Sequence, residues 1–273
     1  MYYLTYDNGD RAGAGAQVQR ILSLFLLAKH YNLGYTHTRF ITREHDFTEE
    51  VLARFNNLFE LFSYDKKDFD EIVRVQHFTD AVLSFIQDNP QPDKNILLVI
   101  PGAHLFIDTN PWLLDDPFPV KFSWVDDVLN NQETQIAFHI RRGHDVTPTV
   151  NPDRFVAVSV YLDYMKELRK ILTKPYRFHI VSKKEIRPEL ADIPLENDIV
   201  LHIEEDVAKT FKFLINCDVL FAGLSSFSYS AAMLRRKGIV LYNPFWHSYP
   251  DKSVCLTTPD DVHLYKEKIL SQI

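Results

Sequence analysis

Cysteine is nearly absent. Cys217 and Cys255 are the only two in 273 residues. Two thiols cannot complete a four-cysteine metal site, and both sit among apolar residues, so reduced, buried thiols are expected. An excess of basic charge is absent too. The formal net charge is −7, whereas a non-specific nucleic-acid binder is usually basic. No nucleic-acid partner is expected, and any anion site must be local, built from a few arginines in one place. No apolar run approaches the roughly 20 residues that span a bilayer. The longest, ILSLFLLA (21–28) and NILLVI (95–100), suit a helix face and a strand. The first residues, MYYLTYDNGDRAGAG, hold no apolar signal core. A cytoplasmic protein without a membrane span is therefore expected. Repeats of fixed period, low-complexity tracts, HExxH or zinc spacing, a G-x-S-x-G elbow, a Walker loop and a kinase set are all missing.

What is present is an ordinary core. Hydrophobic residues make up 46% and charged residues 25%, which excludes disorder and leaves room for one large or two medium domains. Short apolar runs alternate with amphipathic ones. YYLTY (2–6), LGYTHT (33–38), EIVRVQ (71–76) and NILLVI (95–100) read as strands. Helical stripes lie between them at 18–31, 49–62 and 78–87. Residues 108–133, with Pro111, Pro117 and Pro119, read as a crossover. The alternation then restarts. Strands are expected at 135–140, 176–182, 198–203, 218–223 and 238–243, and helices at 158–172, 208–216, 225–237 and about 260–271. Strands apolar on both faces and separated by helices indicate parallel sheets covered on both sides. The expectation is an α/β chain of two facing Rossmann-like domains, residues 1–120 and 121–273.

Ligands in such sheets bind beyond the carboxyl ends of the strands. Arg141 and Arg142 follow IAFHI there. A guanidinium is a permanently charged planar fork that matches two phosphate oxygens. The same arginines also suit a surface ion pair with Asp145 or Asp153. In GLSSFSYSAAMLRR, Ser225 or Ser226 reads as a helix N-cap, and a helix N-terminus attracts phosphate. Hydroxyls of Ser225, Ser226 and Ser228 add donors, although plain capping explains them equally. GDRAGAGAQVQR, carrying Gly13, Gly15 and Gln17, lacks the dinucleotide spacing but lies between a strand and a helix. DFD (68–70) invites a metal, yet its charged surroundings favour a solvated turn. His139 and His179 lie inside strands, where each reads equally as a satisfied core histidine.

Together these pieces resemble the fucosyltransferase-like superfamily of GT-B glycosyltransferases. HIRRG at a strand end, followed about eighty residues later by a strand and SSFSYSAA, carries the resemblance. GAGAQVQR matches the group's N-terminal loop. YTHTRF with REHD, and IVLYNPFWH, resemble small xylosyltransferases of large algal viruses, which would place the protein in host cytoplasm. The resemblance implies that His139, Arg141 and the adjacent Arg142 bind the donor's nucleotide diphosphate. It assigns Ser225, Ser226 and Phe227 to phosphate or ribose, with Ser182, Asp206, Thr210 and Ser228 also on the donor side. It implies no metal or other cofactor, because arginine and the helix dipole replace the cation. Three departures stand out: His144 precedes the aspartate of HIRRGHD, Thr210 stands where an acid helps read guanine, and Thr149 replaces a downstream acid. The missing acids turn the donor toward UDP-xylose, with GDP-fucose as the alternative.

The implied reaction is an inverting transfer to a glycan acceptor hydroxyl. Inversion needs a base, and the candidates are Asp10 in the glycine loop and Asp70 near the third strand. Two other readings stay open. One is an inactive nucleotide-sugar- or carbohydrate-binding module. The other is a GT-A enzyme using DFD with manganese.

Overall fold

Five residues, Tyr2–Tyr6, with Thr5 as the one small polar member, form β1, which is buried along its whole length. The computed structural model describes residues 1–7, 13–39, 48–57, 69–76, 80–89, 93–110, 132–143, 145–183, 193–194 and 196–273. The chain divides into two units, Met1–Leu113 and Leu114–Ile273. In the first, β1 is followed by α1 (Ala14–His30), β2 (Gly34–Tyr35), α2 (Glu49–Asn57), β3 (Glu71–Arg74), α3 (Asp80–Asp88), β4 (Ile96–Ile100) and α4 (His104–Thr109). The four strands are parallel, in the order β2-β1-β4-β3. Val18, Ile21 and Leu22 of α1 are wholly buried, and Phe25 meets the ring of Tyr35 edge-on at 5.8 Å.

The second unit holds β5 (Thr134–Ile140), a 3-10 turn (Pro152–Arg154), α5 (Val158–Ile171), β6 (Tyr176–Ser182), β7 (Ile199–Ile203), α6 (Val207–Asn216), β8 (Val219–Ala222), α7 (Ser226–Leu234), β9 (Ile239–Tyr242), β10 (Val254–Cys255), α8 (Asp261–Leu264) and α9 (Lys266–Leu270). All six strands are parallel, in the order β10-β9-β8-β5-β6-β7. Counted from β5, this is the doubly wound order 3-2-1-4-5-6. Alternation along β5 sends Ile136, Phe138 and Ile140 into one core with Tyr161, Met165 and Leu168 of α5 and with Val262 and Ile269. Phe138 stacks on Phe221 at 5.0 Å there. The opposite face of the sheet meets α6 and α7.

Two expectations are corrected. β2 spans two residues rather than LGYTHT. Beyond Tyr35, Thr36 donates its amide to Leu4, and its carbonyl accepts from the Thr5 hydroxyl rather than from a strand. The terminal helix is divided into α8 and α9 at Tyr265, whose φ of −102° and ψ of 15° leave the helical range. Helix α2 is described to Asn57, and the remainder of the expected 49–62 helix lies outside the described residues. The crossover prolines Pro111, Pro117 and Pro119 lie outside them as well.

Candidate functional site

The order 3-2-1-4-5-6 reverses direction between β5 and β8. At such a reversal the helices leaving neighbouring strands diverge to opposite faces, and a crevice opens beyond the strand ends. The segments that leave these two strands are His139–Gly143 and Gly223–Ser226. Their main chains touch: a Cβ added at Gly223 would lie 2.2 Å from the His139 carbonyl oxygen and 3.2 Å from its Nδ1. Only glycine permits that approach.

Alternation puts His139 on the face covered by α7. Its ring lies 5.7 Å from Phe227, and the residue is 8% exposed. Burial, reinforced by the charge of Arg141, pushes its pKa down to about 3, so the ring is neutral. Among the described residues, the buried Nδ1 of His139 has no hydrogen-bond partner. His179, on the next strand, is the instructive contrast. Its Nε2 bonds Gln135 Oε1 at 2.7 Å and its Nδ1 bonds His202 Nε2 at 2.8 Å. Burial and the neighbouring His202 lower its pKa to about 4. His179 is therefore a satisfied core histidine, and His139 is not.

The adjacent arginines part ways. Arg141 pairs with Asp145 and donates to the Arg142 carbonyl at 2.7 Å. A guanidinium has five donors, so N–H groups remain for a ligand. Arg142 is 1% exposed; it donates to the carbonyls of Arg141 at 2.9 Å and Val156 at 2.8 Å and lies 4.4 Å over the Phe155 ring. It braces the loop from a buried position. A third guanidinium, Arg154 of the 3-10 turn, adjoins the segment after β8. Its Nε approaches the Leu224 carbonyl at 3.5 Å, and it lies 5.7 Å over Trp246. Burial and the charge of Arg141 lower its pKa, with Asp145 acting in the opposite sense.

On the other side of the crevice, Ser225 caps α7 by accepting from the Phe227 amide at 3.2 Å. Ser226 Oγ lies 3.2 Å from His247 Nε2, and His247 stacks on Tyr229 at 4.2 Å. Ser228 is fully buried, its hydroxyl donating to Gly223 and Ser225 carbonyls at 3.0 and 3.2 Å. Ser182 Oγ donates to the Ile140 carbonyl at 2.9 Å, which ties β6 to β5. Both hydroxyls thus shape the crevice from behind rather than face it.

No protein-family model matches the sequence, and no curated protein matches it. Solved structures do. E. coli heptosyltransferase WaaC with ADP is 10% identical, covers 98% of this chain and 99% of its own, and has a TM-score of 0.52. The same enzyme with ADP-2-deoxy-2-fluoro heptose is 11% identical over 98% and 99%, with a TM-score of 0.50. NodZ alpha-1,6-fucosyltransferase soaked with GDP-fucose is 11% identical, covers 86% and 92%, and has a TM-score of 0.44. The fold is GT-B. Identities this low establish the architecture alone.

The remaining expected residues scatter over the GT-B scaffold. Asp206 and Thr210 stand beyond the carboxyl end of β7, where Asp206 caps α6 by accepting from Ala208 and Lys209 amides at 3.1 and 3.0 Å. Gly13 is the N-cap of α1 and accepts from the Gln17 amide at 3.1 Å; Gly15 and Gln17 are buried in that helix. These three belong to the first unit. Asp10 lies outside the described residues. Asp70 precedes β3, and its carboxylate accepts from the Asn95 amide at 2.7 Å. It therefore stands at the amino end of its sheet, whereas ligands in such sheets bind beyond the carboxyl ends. Asp7, at the carboxyl end of β1, was missed by sequence reasoning; it pairs with Arg74 at 3.2 Å. Arg154, Trp246 and His247 were missed as site residues too. Only the strand-end position of NPFWH offered a signal for the last two. Among the described residues no cluster of three metal-ligating side chains occurs, and no helix is long and apolar enough to cross a membrane.

Proposed function

We propose that the protein is a glycosyltransferase that takes a nucleotide-sugar donor at the β5–β8 crevice. The observation that carries this reading is the convergence of Arg141, the buried and unpartnered His139 Nδ1 and the capped start of α7 on one topological switch point. The acceptor hydroxyl attacks the anomeric carbon as the bond to the diphosphate oxygen breaks, and the electron pair leaves with the diphosphate. Arg141 and the N-terminal amides of α7 stabilise that developing charge. They supply the positive charge that a divalent cation supplies in other transferases. The neutral imidazole of His139 hydrogen-bonds the donor.

Direct displacement inverts the anomeric centre, and a carboxylate takes the acceptor's proton. Asp10, in the glycine-bearing stretch DNGDRAGAGAQ, is the base in this reading. The donor is UDP-xylose and the acceptor a glycan hydroxyl. The resemblance to xylosyltransferases and the absent acid at Thr210 support xylose, and Asp206 spends its carboxylate on a helix cap instead of on guanine.

A thermal-shift panel of UDP, GDP, UDP-xylose and GDP-fucose tests the reading. A ligand at 100 times its dissociation constant adds about 2.7 kcal/mol of stability. UDP and UDP-xylose are expected to raise the melting temperature. A response to GDP and GDP-fucose alone reassigns the donor, and no response to any of the four ends the proposal.

A further inference from the structure

We infer that Arg154 is the second diphosphate-binding guanidinium, acting beside Arg141. The inference rests on the donor site proposed above and names a residue that the adjacent-arginine reading overlooked. The loop after β5 is knitted so as to deliver it. Asn151, with φ 47° in the left-handed region, donates its side-chain amide to the Asp145 carbonyl at 2.8 Å, and its own carbonyl accepts from the Arg154 amide at 3.0 Å. The Arg154 side chain then crosses to Leu224, the residue before the cap of α7. Arg141 leaves β5 beside the same segment. Arg154 thus stands next to the start of α7, within electrostatic reach of Arg141.

The charges there do not cancel. Asp145 pairs with Arg141. Arg154 makes no ion pair among the described residues, and its terminal nitrogens have no hydrogen-bond partner among them. A half-buried cation beside a second cation and a helix N-terminus is a costly arrangement without an anion. A diphosphate spans two phosphoryl groups and offers an oxygen pair to each fork. Trp246, 57% exposed and backed by Phe245 at 3.7 Å, lies 5.7 Å from the Arg154 guanidinium and gives that planar fork an aromatic face to rest on. Arg142, 1% exposed and bonded to two backbone carbonyls, presents no outward fork.

Titration calorimetry with inorganic pyrophosphate, UDP and GDP tests the assignment on the whole chain. Arg154→Gln is expected to weaken pyrophosphate and the bound nucleotide by about tenfold or more, with the ligand-free melting temperature unchanged. Arg154→Lys, which keeps the charge and loses the fork, is expected to fall between the two. Wild-type affinity in Arg154→Gln overturns the assignment and leaves Arg154 as a cover for Trp246. Should Arg154→Gln fail to fold, Arg154→Lys decides, and wild-type affinity in that variant overturns the fork. Failure of the wild-type chain to bind any of the three ligands is a separate result: it removes the donor site itself.

Discussion

Arg141 and Arg142 are neighbours with opposite tasks. One side chain points along the strand end toward the crevice, and the other turns back under its own loop. Replacing Arg141 with alanine is expected to abolish most turnover in a sugar-transfer assay while the unfolding transition stays where it was. Arg142→Met is expected to do the reverse, lowering stability by about 2 kcal/mol because two buried carbonyls lose their donor; a urea midpoint measures it. The carboxylates split in the same way. Asp70→Asn is expected to leave turnover intact, since that side chain sits at the amino end of β3. Asp10→Asn is expected to lose it, and kcat measured on both variants tells the two apart.

The start of α7 works as an element rather than as a row of hydroxyls. Ser225 caps it, Ser228 ties its first turn to Gly223, and Gly223 lets β8 pass against His139. Ser225→Ala is expected to cost about 1 kcal/mol, the usual worth of such a cap. Gly223→Ala is expected to cost more, because its methyl would meet the His139 carbonyl oxygen at 2.2 Å. The two strand ends must separate to admit it. Thermal unfolding and nucleotide affinity are both expected to drop further than in Ser225→Ala. Arg235 supports the same layer from the other end, donating to the Leu214 and Cys217 carbonyls at 2.7 and 2.6 Å where α6 terminates.

The whole molecule carries its buried histidines as an acid liability. In the unfolded chain a histidine takes up a proton near pH 6.5. In the fold, His139 resists protonation down to about 3 and His179 down to about 4. Between those values the unfolded chain binds more protons, so stability falls as pH drops from 6.5 toward 4 and keeps falling toward 3 for His139. Urea midpoints at pH 7, 5 and 4 are expected to decline, and the decline in His139→Gln is expected to be shallower by up to one bound proton. An identical slope in the variant contradicts the neutral, buried state of that ring.

Much of this architecture was written along the chain. The mostly apolar runs at Tyr2–Tyr6, Ile96–Ile100 and Thr134–Ile140 pointed to strands inside covered sheets, and the helices between them to parallel connections. The arginines after β5 and the serines before α7 were legible as anion-binding chemistry, because charge and capping are properties of short segments. Tertiary structure alone decided which arginine faces the crevice, which histidine lacks a partner and which end of a strand a carboxylate occupies. Those outcomes depend on strand order, on alternation across the sheet and on a loop that brings Arg154 beside Leu224, 70 positions away in sequence. Contacts over such separations arise only when the strands pair, and local pattern does not encode them.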